Sequence, residues 1–92
     1  MRWEKERCAV LEAAQALLRQ GLVAGTSGNV SARVHDGTQP ERLLLAITPS
    51  GRYYDTLSPA DIVVVDDEGN IVEGTLAPSV EFRLHAGIYQ TR

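Results

Sequence analysis

The stretch GNVSARVHDGTQPERLLLAITPSG, residues 28–51, carries the signals of a β-hairpin framed by two loops of small residues. Every second position of residues 30–34 is apolar and the positions between are polar, a period of two that predicts a strand with one buried face. An Asp-Gly pair at residues 36–37 is typical of a turn, and the apolar run at residues 43–47 predicts the return strand. Pro49 ends that strand, because proline cannot donate a ladder hydrogen bond.

The segment before this hairpin has the period of an amphipathic helix. Apolar residues recur at steps of three and four through residues 3–20, with Arg and Glu between them. Gly21 follows at the place of a left-handed C-terminal cap, which glycine adopts without steric cost. We therefore expect a helix over residues 3–20, with Cys8 on its buried stripe.

The segment after the hairpin predicts a short helical turn and a second hairpin. Residues 58–61 have the spacing of a capping box, with proline at the first helical position. Residues 62–65 and 71–73 predict two strands joined by the acidic turn at residues 66–70. This turn lacks the alternating ligands and the distal Glu of a calcium loop, so we interpret it as a solvated turn.

A second helix is predicted at the end of the chain. Ser79 is available as its N-cap, and Val80, Leu84 and Ile88 recur at helical steps. No capping sequence precedes Arg92, so we expect residues 1–92 to be the N-terminal portion of a single domain that continues further.

The order helix, hairpin, hairpin, helix predicts the fold class. It corresponds to a layered mixed α/β arrangement with a mostly antiparallel sheet flanked by helices. A chain of 92 residues has room for one small domain and no second core.

Composition excludes several classes of function. A net charge of −3 argues against binding a nucleic acid backbone. The longest apolar runs are far shorter than a membrane helix, so no membrane partner is expected. Cys8 is the single cysteine, which excludes an internal disulfide and suits a reducing compartment, so we expect a cytoplasmic protein.

Three loops share one chemical character, since each is rich in small polar residues and adjoins a strand or a helix start. They are residues 25–29, 48–51 and 77–80. Backbone N–H groups and short polar side chains at such places suit a phosphate. For each loop alone a plain turn is the alternative, because the same residues dominate turns. Convergence of all three would make a neutral phosphate pocket.

Glu81 and His85 are the candidates for chemistry in the last helix. Glu81 lies in the predicted first turn, where the helix dipole favours a carboxylate whatever its role, and it could also move a proton or touch a metal. His85 follows four residues later on the same helical face. A zinc site needs three or four ligands and His35 lies in a polar turn, so we interpret His85 as a structural, hydrogen-bonded histidine.

Three ordered motifs extend over nearly the whole chain: GTSGNVSAR at residues 25–33, ITPSG at residues 47–51, and PSVE at residues 78–81, followed by His85 and Tyr89. Together they resemble the class II aldolase and adducin N-terminal family, and they look most like its L-fuculose-phosphate aldolase branch.

The resemblance implies a zinc-dependent lyase that cleaves a small phosphorylated ketose, such as fuculose 1-phosphate, to dihydroxyacetone phosphate and an aldehyde. In such an enzyme zinc polarises a carbonyl and holds the enediolate while a Glu moves the proton. Glu81 matches the catalytic acid/base, which can also be a zinc ligand. The residues that match the phosphate-binding loops are Gly28, Asn29, Ser50, Gly51, Ser79 and Val80.

Two features depart from the family pattern. Val80 stands where many relatives have a second Ser, so one hydroxyl contact to phosphate is lost. The family's zinc ligands, a His-x-His pair and a third His, would follow Arg92, and the family places His85 outside the metal shell. The resemblance therefore implies that the zinc site is incomplete in residues 1–92 and that these residues alone do not catalyse.

Other activities within and beyond the family stay open. Glu81 disfavours a ribulose-phosphate epimerase, because that branch carries Asp there, whereas a methylthioribulose-phosphate dehydratase also has Glu. A non-catalytic, adducin-like scaffold is the alternative from another class. The resemblance also implies a homotetramer with sites at subunit boundaries, so the expected partners are a phosphorylated sugar and further copies of the chain.

Overall fold

The computed structural model describes residues 1–21, 29–39, 41–79 and 81–90. Their helices and strands are, in chain order, α1 (Glu4–Arg19), β1 (Ser31–Val34), β2 (Leu44–Ile47), β3 (Val63–Asp66), β4 (Ile71–Glu73) and α2 (Phe82–Gln90). Two 3₁₀ turns, Tyr54–Thr56 and Pro59–Asp61, separate β2 from β3. The predicted order of elements is confirmed. Neither helix in this part of the chain has the length and apolar character needed to cross a membrane.

The four strands form one antiparallel sheet in the order β1-β2-β3-β4. Ile47 of β2 pairs with Ser31 on one side and with Val63 on the other. Both central strands, β2 and β3, are buried at every position, as expected for strands covered on both faces. The predicted mixed α/β class with a mostly antiparallel sheet is confirmed.

The sheet lies between the two helices, with a separate apolar cluster on each face. Successive side chains of a strand point to opposite faces, so Leu44 packs towards α1 while its neighbour Leu45 packs towards α2. On the α1 face the cluster includes Val10, Leu11, Ala14, Val34 and Val64, and on the α2 face it includes Ile47, Val63, Val65 and Ala86. The layered arrangement therefore buries β2 and β3 from both sides.

The buried face of α1 differs from the predicted stripe. It consists of Arg7, Val10, Leu11 and Ala14. Cys8, predicted to be core, is only half-buried. Arg7, one of the polar residues of the helical pattern, is buried instead. The predicted helix end is confirmed, since Gly21 has φ +72°.

Arg7 is buried because its guanidinium finds carbonyl acceptors across the domain. Its Nε donates to the carbonyl of Ile62 and one Nη to the carbonyl of Ala60, both at 2.9 Å. Its other Nη donates to the carbonyl of Arg2 at 3.3 Å. A guanidinium offers five donors on an apolar stem, so it can join α1 to the start of β3 without a carboxylate partner.

The start of α2 is two to three residues later than predicted. The predicted role of Ser79 as a cap agrees with its contacts, because Glu81 N donates to Ser79 Oγ at 3.3 Å and Phe82 N donates to the Ser79 carbonyl at 3.1 Å. Glu81 lies just before the helix rather than in its first turn, and its carbonyl accepts from His85 N at 3.3 Å. Of the predicted apolar stripe, Leu84 is 62% exposed while Ala86 is buried. Val80 lies outside the described residues.

The acidic turn between β3 and β4 is exposed at Asp67, Glu68 and Asn70, as predicted, but it is anchored by one buried carboxylate. The Asp66 carboxylate is buried and accepts from the backbone N–H groups of Glu68 and Asn70, both at 2.9 Å. Gly69 has φ +88°, and a Cβ at this position would lie 2.4 Å from the ring of Phe82. The turn therefore needs glycine for its backbone and for the close approach of α2.

Candidate active site

Thr48 connects the parts of the three predicted loops that the structure describes. Its hydroxyl accepts from Val30 N at 3.2 Å, and its backbone N–H donates to the Val30 carbonyl at 3.0 Å. Its own carbonyl accepts from Ser79 N at 3.0 Å, and a β-bridge joins Pro49 to Pro78. Asn29, residues 48–51 and residues 77–79 therefore meet around one buried threonine, and the predicted convergence holds for these residues.

The convergence itself uses some of the backbone donors that the sequence suggested for an anion. Ser50 N donates to the Ala77 carbonyl at 2.9 Å, and Ser79 N donates to Thr48. These two N–H groups therefore bind neighbouring loops. Ser50 and Gly51 are exposed, and Gly51 has φ +66°. Gly28, like Val80, lies outside the described residues.

Glu81 is exposed but held by two neighbouring side chains. The side-chain amide of Asn29 donates through Nδ2 to Glu81 Oε2. Glu81 N donates to Ser79 Oγ at 3.3 Å, which fixes the backbone from which the carboxylate extends. Carboxylate Oε1 has no hydrogen-bond partner among the described residues. Glu81 therefore presents one anchored and one available oxygen beside the three loops.

His85 is half-buried next to Glu81 and uses both ring nitrogens. Its Nε2 binds Oδ1 of Asn29, and its Nδ1 lies 2.5 Å from Ser31 Oγ. Burial lowers the pKa of His85 below its ordinary value, and the negative charge of Glu81 opposes that shift. The ring is therefore neutral at pH 7, and the interpretation of His85 as a hydrogen-bonded structural histidine agrees with these contacts.

Ser31 and Tyr89 complete the row of polar contacts. Tyr89 OH donates to the Ser31 carbonyl at 3.1 Å and lies 3.1 Å from Ser31 Oγ. Ser31 was not singled out from the sequence as a site residue. The signal that could have found this face is the recurrence of Glu81, His85 and Tyr89 at four-residue steps, which places all three on one side of a helix.

The described residues do not provide a zinc site. No group of three or more His, Cys, Asp and Glu side chains occurs among them in an arrangement that could hold a metal. Both nitrogens of His85 are occupied, and His35 is exposed in the turn after β1. Glu81 is the one site residue in this part of the chain with an oxygen available for a metal, and zinc sites use three or four ligands.

A cavity of about 420 Å³ has Tyr89 in its lining and no residue of the three loops. Its charged lining consists of Arg33 and Arg42 together with Glu41 and Asp67. The predicted phosphate site consists of the three loops, so this cavity is a different one.

A family match explains the arrangement of loops and helix. Residues 8–92 match the sequence profile described as the class II aldolase and adducin N-terminal domain. The chain belongs to this family. The resemblance found in the sequence motifs is therefore confirmed, and the family comprises metal-dependent aldolase and epimerase enzymes.

Curated members of the class II aldolase and adducin family give the matches in sequence. The L-ribulose-5-phosphate 4-epimerases UlaF of Salmonella paratyphi B and Salmonella typhi are each 42% identical to the chain over 87 residues, which is 95% of the chain and 36% of the relative. The chain thus spans little more than a third of the length of these relatives. These relatives have the name of the activity that Glu81 was expected to disfavour.

Solved structures of the family have the same fold. An L-fuculose 1-phosphate aldolase is 38% identical with a TM-score of 0.77, over 96% of this chain and 39% of its own. An L-fuculose 1-phosphate aldolase from Glaciozyma antarctica has a TM-score of 0.75 at 17% identity, over 97% of this chain and 36% of its own, and at that identity supports the fold alone.

Proposed function

We propose that the chain is the N-terminal portion of a zinc-dependent aldolase that cleaves a small phosphorylated ketose, such as fuculose 1-phosphate, to dihydroxyacetone phosphate and an aldehyde. The observation that carries this proposal is the anchored Glu81 carboxylate at the meeting point of the loops. The 38% identity to an L-fuculose 1-phosphate aldolase over nearly the whole chain supports the same activity.

Glu81 is proposed as the general acid/base. Cleavage of the carbon–carbon bond leaves an enediolate, and the product forms only when a carbon of that fragment gains a proton. Anchoring of Oε2 by Asn29 leaves Oε1 to carry this proton. A fixed carboxylate reaches the reacting carbon with little reorientation, which is the advantage of a positioned acid over one in water.

The loops are proposed to bind the substrate phosphate. The candidate residues are Gly28, Asn29, Ser50, Gly51, Ser79 and Val80. Because the backbone donors of Ser50 and Ser79 bind other loops, their hydroxyl groups are the better candidates for contact with phosphate. A pocket of neutral donors suits a phosphate that must also be released with the product.

Zinc is proposed as the cofactor because enzymes of the family are typically metal-dependent. Glu81 is one possible ligand, and the remaining ligands have to come from outside the described residues. We also propose that the complete protein is a cytoplasmic homotetramer, in which neighbouring copies border the sites.

A 4-epimerase acting on L-ribulose 5-phosphate is the second candidate, favoured by the 42% identity to proteins of that name. Carbon 4 of this ketose is not adjacent to the carbonyl at carbon 2, so its hydrogen is not acidic. Inversion can instead proceed by breaking and re-forming the bond between carbons 3 and 4. Both candidates therefore share the cleavage step, and they differ in whether the enediolate is protonated and released.

The test uses protein expressed from the whole reading frame that encodes this chain, supplied with zinc, in deuterated water. Aldolase activity yields dihydroxyacetone phosphate carrying deuterium from fuculose 1-phosphate. Epimerase activity yields the 4-epimer of L-ribulose 5-phosphate without deuterium at carbon 3. Loss of water from methylthioribulose phosphate would identify a dehydratase, and no turnover on any of the three would favour the scaffold.

A further inference from the structure

We infer that His85 is a positioning residue for Glu81, acting through the side-chain amide of Asn29. The inference rests on the proposed function, in which Glu81 moves a proton. It concerns how the carboxylate is held and does not assign His85 any contact with substrate or metal.

The chemistry of each group leaves one direction for the row of hydrogen bonds. A carboxylate only accepts, so Asn29 must turn Nδ2 towards Glu81 and Oδ1 towards His85. Oδ1 only accepts, so His85 Nε2 must carry a hydrogen. In a neutral ring Nδ1 is then the acceptor, and Ser31 Oγ donates to it. Ser31 thus donates to His85, His85 donates to Asn29, and Asn29 donates to Glu81.

This direction fixes the amide of Asn29. If the amide turned over, its oxygen would face the carboxylate and its NH₂ group would face the N–H of His85. The contact with Glu81 would become repulsive, and the contact with His85 would also be repulsive unless the ring moved its hydrogen to Nδ1. A hydrogen bond to the charged carboxylate is worth more than a neutral one. His85 therefore holds Asn29 in the single orientation that binds Glu81.

The row is attached to the rigid part of the fold. Ser31 begins β1 and pairs with Ile47 in the buried strand β2. Tyr89 OH donates to the Ser31 carbonyl, and its oxygen lies 3.1 Å from the Ser31 hydroxyl oxygen. Since the sheet positions Ser31, and Ser31 positions the ring of His85, an exposed carboxylate takes its orientation from the core.

Asn29 is also a suitable group for holding a proton carrier. An amide has no net charge, whereas a neighbouring cation favours the ionised form of a carboxylate and weakens it as a base. The contact orients Glu81 without adding a positive charge beside it.

Kinetics of the complete, zinc-loaded protein test this inference. For His85→Ala we expect kcat to fall about 10- to 100-fold, as misplacement of a catalytic group does. KM should change less than kcat, because Asn29 is one of several candidate phosphate contacts whereas Glu81 alone is proposed to move the proton. His85→Gln should recover most of kcat, since its amide nitrogen can donate to Asn29. His35→Gln, a substitution of the exposed histidine, is the matched control.

A double-mutant comparison separates positioning from a general structural role. In a Glu81→Gln background, His85→Ala should cause little further loss, because the carboxylate on which it acts is absent. An equal loss in both backgrounds, or unchanged kcat in His85→Ala, would overturn the inference. If Glu81→Gln itself keeps wild-type activity, the proposed function of Glu81 fails instead.

A measurement independent of activity covers the case of an inactive or unstable variant. Nitrogen-15 chemical shifts of the His85 ring in the wild-type protein should show a neutral ring with its hydrogen on Nε2. A hydrogen on Nδ1 at pH 7.5 would contradict the proposed direction of these hydrogen bonds, whatever the activity of the enzyme.

Discussion

Glu81 depends for its position on uncharged groups, the amide of Asn29 and the hydroxyl of Ser79. A glutamine at this position can still accept from Asn29 through its carbonyl oxygen, but it cannot carry a proton to carbon. Glu81→Gln therefore separates acid/base chemistry from geometry.

We predict that Glu81→Gln lowers kcat of the complete enzyme by about 10² to 10⁴, with phosphate affinity nearly unchanged. That range corresponds to roughly 3 to 5 kcal/mol. Steady-state kinetics and inhibition by inorganic phosphate measure the two quantities. Glu68→Gln, in an exposed turn, is the control. If Glu81→Gln keeps more than a tenth of the wild-type kcat, Glu81 is only a carboxylate at a helix start and not the acid/base.

His85 makes stability depend on pH near neutrality. Its pKa in the folded protein is lowered from the ordinary value of 6.5, chiefly by burial, while the charge of Glu81 raises it. Between the folded value and 6.5 the unfolded chain binds more protons, so the free energy of unfolding falls as the pH falls through this window.

We predict that the melting temperature of the complete protein decreases from pH 7.5 to pH 5 and that His85→Gln reduces this decrease. Asp36 and Asp66 also have lowered pKa values, but their contribution to stability is lost at pH values below their ordinary pKa of 3.8. Scanning calorimetry at four pH values measures the effect. An identical pH dependence in wild type and His85→Gln would contradict it.

At the scale of elements, the turn between β3 and β4 depends on one buried carboxylate. Burial alone would raise the pKa of Asp66, but hydrogen bonds from Asn70 and Glu68 outweigh it and hold the pKa below its ordinary value. The same carboxylate also lies 3.8 Å from the guanidinium of Arg42.

We predict that Asp66→Ala destabilises the protein by about 1 to 3 kcal/mol, because the backbone N–H groups of Glu68 and Asn70 lose their charged acceptor. Asp67→Ala, one residue further in the exposed part of the same turn, should change stability by less than about 0.5 kcal/mol. Urea unfolding of both variants measures the difference. Equal effects would show that the turn forms without the buried carboxylate.

The elements that the sequence predicted well are those with a strong local signal. The period of two in residues 30–34 and the capping box at residues 58–61 act between neighbours, so they are visible in the chain itself. The buried Arg7 depends on carbonyls more than fifty residues away, and no local pattern reports them. The contact of Ser79 with Thr48 in another loop is likewise not visible in the local pattern.

The candidate site was only partly predictable on the same grounds. Loop composition and the spacing of Glu81 and His85 indicated which segments matter. The use of Ser50 N and Ser79 N for contacts between loops follows from the tertiary fold. So does the role of Ser31, whose sequence context is that of any strand residue.

At the scale of the whole molecule, the described residues leave an apolar side chain of α2 and the outer strands exposed. Leu84 is 62% exposed, and β1 and β4 are the outer strands of the described sheet. Such surfaces promote association when nothing covers them.

We predict that residues 1–92 alone are self-associated or poorly soluble and unfold over a broad range, and that Leu84→Ser reduces the association. Light scattering and thermal denaturation measure both properties, with the exposed Tyr53→Ser as the control. A monomer with one sharp transition would show that residues 1–92 are self-sufficient.

Zinc affinity is a second property of these residues as a whole. The chain contains one cysteine, Cys8, and two histidines, His35 and His85. In the part of the chain that the structure describes, no group of three or more His, Cys, Asp and Glu side chains could hold a metal. We predict that residues 1–92 bind zinc weakly in a calorimetric titration and do not cleave fuculose 1-phosphate. Stoichiometric binding at micromolar concentration together with turnover would contradict this prediction.

The hydrogen bonds of the site join residues that are 52 to 58 positions apart, from Asn29 or Ser31 to Glu81 or α2. A protein is synthesised from its N-terminus, and its segments begin to fold as they become available. α1 and the whole sheet leave the ribosome before Tyr89 does. During translation the sheet can therefore assemble with Asn29 and Ser31 still unpartnered, and the carboxylate is oriented only when α2 arrives.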